Sequence, residues 1–245
     1  SLLSMVDKID TLVGFFSIGK KPTGSKDPFA LRRNSLSIVQ ILINFKLNLS
    51  LNELLEPSLK EYGCSSQSIK HNLIDFMIDK LKYVFSNKNN RMDVVNSVLN
   101  TIIFNDIPIK IISIRIDSII KFTKSNDFKI FLANFKRINN ILKNEKFSND
   151  VVLKVNTKVF ETIEEQNINN LSNTFSKRIN EEGICEKSQD IMINYLIKMN
   201  EPISLFFDKV KVNHNDYNIR INRLNLLKNL HNSISKFSRF ELIQD

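Results

Sequence analysis

A chain of 245 residues, 42% apolar and 25% charged, has the balance of a soluble globular protein and is long enough for one or two buried cores. Its net charge of +9 favours a polyanionic partner, nucleic acid before membrane. Two cysteines, Cys64 and Cys185, and three scattered histidines offer no zinc cluster, and the most apolar run, 101–120, is broken by Asp106, Pro108, Lys110, Arg115 and Asp117, too often to span a bilayer.

Five glycines and five prolines amid abundant Leu, Ile, Lys and Asn predict an all-α chain of helices joined by short loops. Val6, Ile9, Leu12 and Val13 share one helical face, so 1–13 reads as the end of a helix, loosened by Gly14 and Gly19. GFFSIGK at 14–20 matches the first seven positions of a P-loop. Lys21 follows where Ser or Thr must hold Mg²⁺, and Phe15, Phe16 and Ile18 favour burial, so no nucleotide site is read there. Pro22, Gly24 and Pro28 hold open a loop in which Lys20, Lys21, Lys26, Arg32 and Arg33 oppose only Asp27. Arg32 and Arg33 are taken from it as phosphate contacts. Asp27 as N-cap and Pro28 at the first position start the next helix. A shorter helix is predicted over 50–62, limited by Pro57. Another spans 65–85, with Leu73, Met77 and Leu81 on its apolar face and a lone His71 read as solvated. Helices over 92–104 and 109–122 follow.

Residues 126–144 put Phe128, Phe131, Leu132, Phe135 and Leu142 at helical spacing, with Lys136 and Arg137 off the stripe and available to a partner. Further helices are predicted at 149–165, 168–180, 187–200 and 215–237, with Gly183 and Pro202 as stops. In the last, Arg223 falls within the stripe formed by Ile219, Leu226, Leu227, Leu230, Ile234 and Phe237. A buried guanidinium needs carboxylates or carbonyls around it, so Arg223 is predicted to be structural, bonded to Asp208 or to the loop 208–213. Lys209, Lys211 and Lys228 complete the candidate phosphate contacts.

Several segments are more specific than their periodicity. DKIDTLVGFF running into KPTGSKDPFALRR, then FMIDKLKYVF, FKRINNILKN and the closing EPISLFFDKVKVNHNDYNIRINRLNLLKNL, resemble the beta subunit of bacterial two-subunit glycyl-tRNA synthetase. The likeness covers all 245 residues. The closing pattern is also similar to the helical anticodon-binding domain of arginyl-tRNA synthetase. The resemblance implies that 1–125 is the helical end of an HD-like domain with linker helices, that 126–245 is an anticodon-binding-type bundle, and that the chain is a C-terminal piece. Asp7 resembles the final aspartate of HD-type phosphohydrolases. The upstream His and His-Asp ligands have no counterpart, so Asp7 is read as a surface or capping carboxylate and no metal is expected.

What the resemblance implies about function is tRNA recognition within glycine–tRNA ligase, which joins glycine to tRNA-Gly with ATP. The alpha subunit of a heterotetramer would carry the synthetic site. No catalytic residue and no cofactor are expected in these residues, since no nucleophile stands beside a base and no Gly-rich cradle is present. The competing expectation is a structural helical module for subunit assembly without RNA contact. Reduced thiols and no visible signal peptide lead to a cytoplasmic expectation.

Overall fold

The computed structural model describes residues 2–22, 27–64, 66–87, 91–102, 106–145 and 154–244. Among these the regular structure is helical, with no strand. The chain divides into two compact units, Ser1–Ile116 and Asp117–Asp245.

The first unit holds α1 (Leu2–Ser17), α2 (Leu31–Asn44), α3 (Leu51–Glu61), α4 (Gln67–Ser86), α5 (Met92–Leu99) and the first part of α6 (Ile109–Thr123). Helix α1 packs on α2, α3 and α4, and Leu12, Val13, Phe16, Leu31, Ile38, Leu42, Leu55 and Met77 are buried. Gly14 does not end α1. It makes room for Tyr62, whose hydroxyl would lie 2.9 Å from a Cβ there and donates to Asp10 Oδ2 at 3.1 Å. The helix closes at Gly19, with φ 75°: the Gly19 and Lys20 amides donate to the Phe16 and Phe15 carbonyls. GFFSIGK is therefore a helix C-terminus with Phe16 in the core. Helix α2 closes by the same pair of bonds, but with Lys46 at φ 51° in the glycine position.

Helix α2 starts at Leu31, later than Asp27–Pro28 predicts, because 27–30 form a turn with Ala30 at φ 54°. The Asp27 carboxylate still accepts from the Leu31 and Arg32 amides at 2.8 and 3.1 Å, capping from outside the helix. Pro57 lies inside α3, which a Ser50–Glu53 capping box begins. Helix α5 stops at Leu99, short of the predicted 104, and a turn follows at Thr101–Ile102. Residues 103–105 lie outside the described ones.

The second unit begins within α6, whose Phe122 packs against Phe128 and Phe131. It holds α7 (Asn126–Lys143), α8 (Ile163–Glu182), α9 (Ser188–Lys198), α10 (Asn200–Lys209) and α11 (Tyr217–Ser235), with 3-10 turns at Thr157–Val159 and Phe240–Leu242. Helix α11 packs against α7 and α8, and α10 against α7, α8 and α9. Phe131, Phe135, Phe175, Phe206, Phe237 and Phe240 are fully buried among them. The helices predicted at 149–165 and 168–180 are replaced by one. A Thr162–Glu165 capping box starts α8 at Ile163, and Asn156 begins a single 3-10 turn before it. Residues 149–153 of that prediction lie outside the described ones. The helix predicted over 187–200 is α9, which ends at Lys198; α10, which is not predicted, follows with Pro202 in its first turn, where a missing N–H costs nothing.

Candidate nucleic-acid interface

Three contacts fix how α8 and α11 run. Glu165 meets Arg223, Ser172 Oγ lies 3.4 Å from Ser233 Oγ, and Phe175 meets the Phe237 ring edge-on. The partners advance together, so the two helices are parallel and their N-termini share one end of the unit. Helix α10 arrives there with its C-terminus, Lys209 Nζ donating to Glu164 Oε1 at 2.7 Å. The end of α7 is there as well. Arg137 lies over the Phe207 ring, 4.2 Å from its centre, and Glu145, just past α7, pairs with Arg220 in the first turn of α11.

The partial positive charge of the two helix N-termini is offset by the C-termini of α7 and α10 at the same end, so the side chains set its charge. The first residues of α8 and α11, Ile163 and Tyr217, are 66% and 70% exposed, unusual for groups of that size. The Asp216 carboxylate caps α11 through the Asn218 and Ile219 amides.

Arg223 holds this end together. Its side chain is 3% exposed. Nε donates to Glu165 Oε1 at 2.9 Å, Nη2 to Glu161 Oε2 at 2.7 Å and Nη1 to the Lys211 carbonyl at 3.0 Å. Burial works to raise the Glu165 carboxyl. Hydrogen bonds from Arg223 and from the Glu161 and Thr162 amides outweigh it and hold the group below the usual carboxylate range. Burial likewise opposes the Arg223 charge, and Glu165 and Glu161 together raise its pKa above the ordinary value. The Lys209 hydrogen bond lowers Glu164.

The predicted contact to the loop 208–213 is the Lys211 carbonyl, while Asp208 is exposed at the end of α10 and is not the acidic partner. Glu161 and Glu165 are, and the sequence reading missed them by running a helix through 149–165. The T-I-E-E run at 162–165 is the signal that could have found them.

The candidate cations are dispersed unequally. Lys209, Lys211 and Arg137 lie at the shared end. Lys209 is 59% exposed although paired, and Lys211 and Arg137 are exposed. Lys136 is half-buried on α7. Lys228 is half-buried about 16 Å further along α11 from Tyr217. Arg32 and Arg33 belong to the first unit, half-buried and exposed at the start of α2. Arg220 was not among the candidates. Among the described residues no three His, Cys, Asp or Glu side chains gather as a metal site, and no helix is long and apolar enough to cross a membrane. Asp7 is exposed on α1, and His71 is exposed with Nε2 3.5 Å from Asp75.

Residues 131–239 match the model of the DALR anticodon binding domain, and residues 1–100 match that of the glycyl-tRNA synthetase beta subunit. The DALR match falls on the second unit, where the described regular structure is helical. The chain is similar to the glycine–tRNA ligase beta subunits of Buchnera aphidicola (34% identical over 245 residues) and Rickettsia bellii (35% over 242), covering 99% and 98% of its own length. The similarity to glycyl-tRNA synthetase beta subunits thus runs along almost all of this chain. The chain spans about a third of the length of these curated relatives, 34% in each case.

Proposed function

We propose that the chain is the tRNA-recognition part of a glycine–tRNA ligase, working beside an alpha subunit that carries the ATP-dependent joining of glycine to tRNA-Gly, in a cytoplasmic heterotetramer. One observation carries this reading. The C-terminal ends of α7 and α10 and the N-termini of α8 and α11 converge, bringing Arg137, Lys209, Lys211 and an outward Tyr217 to one end of the anticodon-binding-type bundle. The cations neutralise phosphates and release counterions. The tyrosine offers a face on which an unpaired base of the anticodon loop can stack.

Titration with tRNA-Gly at several salt concentrations tests this. Affinity is expected to fall with salt, and Lys209→Ala with Lys211→Ala to weaken binding and flatten the log–log slope by about two contacts. The assembly-module reading rests on a specific observation too: Lys209 and Arg220 already pair with Glu164 and Glu145. Absence of binding at low salt would favour it.

A further inference from the structure

Resting on that reading, we infer that Arg223 is the positioning residue of the RNA-facing end: buried, touching no RNA, it sets the register of the α10–α11 connection against the N-terminus of α8. The connection, 210–216, carries Lys211 and leads into Tyr217. Within the connection, the His214 amide bonds the Val212 carbonyl at 2.9 Å, and the Asp216 amide bonds His214 Nδ1 at 3.0 Å. Both bonds are local turns; Val210 and Val212 are buried on either side of Lys211, whose carbonyl is held by Arg223. Arg223 ties it down from beneath. Nη1 donates to the Lys211 carbonyl, while Nε and Nη2 donate to Glu165 and Glu161, which are fixed to the start of α8.

The planar fork matters as much as the charge. Three donors at fixed angles reach a carbonyl and two carboxylates at once, and a lysine ammonium in the same pocket is a point charge on a shorter, flexible stem. It can stay beside Glu165 but is not expected to reach Lys211 as well. The lysine carbonyl is then released while the buried charge remains paired. Arg223→Lys therefore separates positioning from folding.

The test measures tRNA-Gly binding by the 245-residue chain and by Arg223→Lys, Lys211→Ala and the double variant. Hydrogen exchange at the 210–216 amides is read alongside, without RNA. Loss of one hydrogen bond to a charged group predicts binding weaker by roughly tenfold in Arg223→Lys, with faster exchange over 210–216 and a helical circular dichroism spectrum retained. If Arg223 acts through Lys211, the double variant is no weaker than about the weaker single variant. Wild-type affinity in Arg223→Lys, with Lys211→Ala weakened, overturns the inference and leaves the interface standing. Full additivity in the double variant also overturns it. Wild-type affinity in Lys211→Ala removes the interface reading, and the inference falls with it. If Arg223→Lys does not fold, Glu161→Gln, altering a half-exposed partner, is measured instead and must give the same loop loosening.

Discussion

The His231 imidazole lies parallel to the Phe135 ring, with centroids 5.0 Å apart and planes 13° apart. Its Nδ1 is 3.5 Å from Ser235 Oγ, and its buried Nε2 has no hydrogen-bond partner among the described residues. Burial lowers its pKa, Glu241 opposes, and Lys228 and Arg239 add to the lowering. The folded imidazole thus takes a proton less readily than the unfolded one. As pH falls through about 6.5 the unfolded chain binds the proton first, so stability present above that pH is lost below it. Urea midpoints at pH 7.5 and 5.5 should fall further for the wild type than for His231→Leu.

Replacing Arg223 by methionine strands Glu165, whose side chain is 0% exposed, and should cost about 3–5 kcal/mol. Adding Glu165→Gln removes the stranded charge and should recover part of it. The pH dependence should weaken as well. In the wild type the Glu165 pKa is lowered, so its contribution is present at neutral pH and lost as the group protonates in acid. Without Arg223 only the Glu161 and Thr162 amides still oppose burial, so the Glu165 pKa rises and the variant should lose less than the wild type between pH 7 and pH 5. Urea unfolding at pH 7 and pH 5 measures both.

Lys46 adopts a left-handed conformation at the end of α2, and its side chain is exposed. A lysine there pays a steric penalty that glycine does not, and it has no burial to lose. Lys46→Gly should raise stability by about 1 kcal/mol, read as a shift in the urea midpoint without a change in slope.

Cys185 is exposed just before α9, and Ser188's side chain, followed by the Lys187 backbone, lowers its pKa. Thiolate is the reactive form, so Cys185 should alkylate at a lower pH than an unassisted thiol. Ser188→Ala should move the pH–rate profile upward. Iodoacetamide labelling followed by peptide mass spectrometry distinguishes Cys185 from Cys64.

Helices with long, regular stripes were legible in the sequence. The 126–144 reading and α7 differ by a residue, because Phe128, Phe131, Leu132 and Phe135 leave one solution for burial. Boundaries set by backbone chemistry were not. Gly14 looks like a breaker and is a clearance for Tyr62, a residue distant in sequence. Pro202 looks like a stop and sits in a first turn. For the site, the spacing of Arg223 exposed its burial, since it falls inside an apolar stripe. Its acidic partners lie on and just before another helix, and no periodicity within α11 points to them. Nor could charge alone tell that Lys209 has a partner in Glu164, because that pairing depends on the C-terminus of α10 meeting the first turn of α8.

Glu165 divides its two oxygens between two tasks. Oε2 takes the Glu161 and Thr162 amides at 2.8 and 3.0 Å, and Oε1 takes Arg223. Aspartate is a methylene too short to serve both, and glutamine turns an NH₂ toward donors on one side. The first turn of one helix and the anchoring of its neighbour thus hang on a single carboxylate, and the sequence at 165 has no conservative substitute.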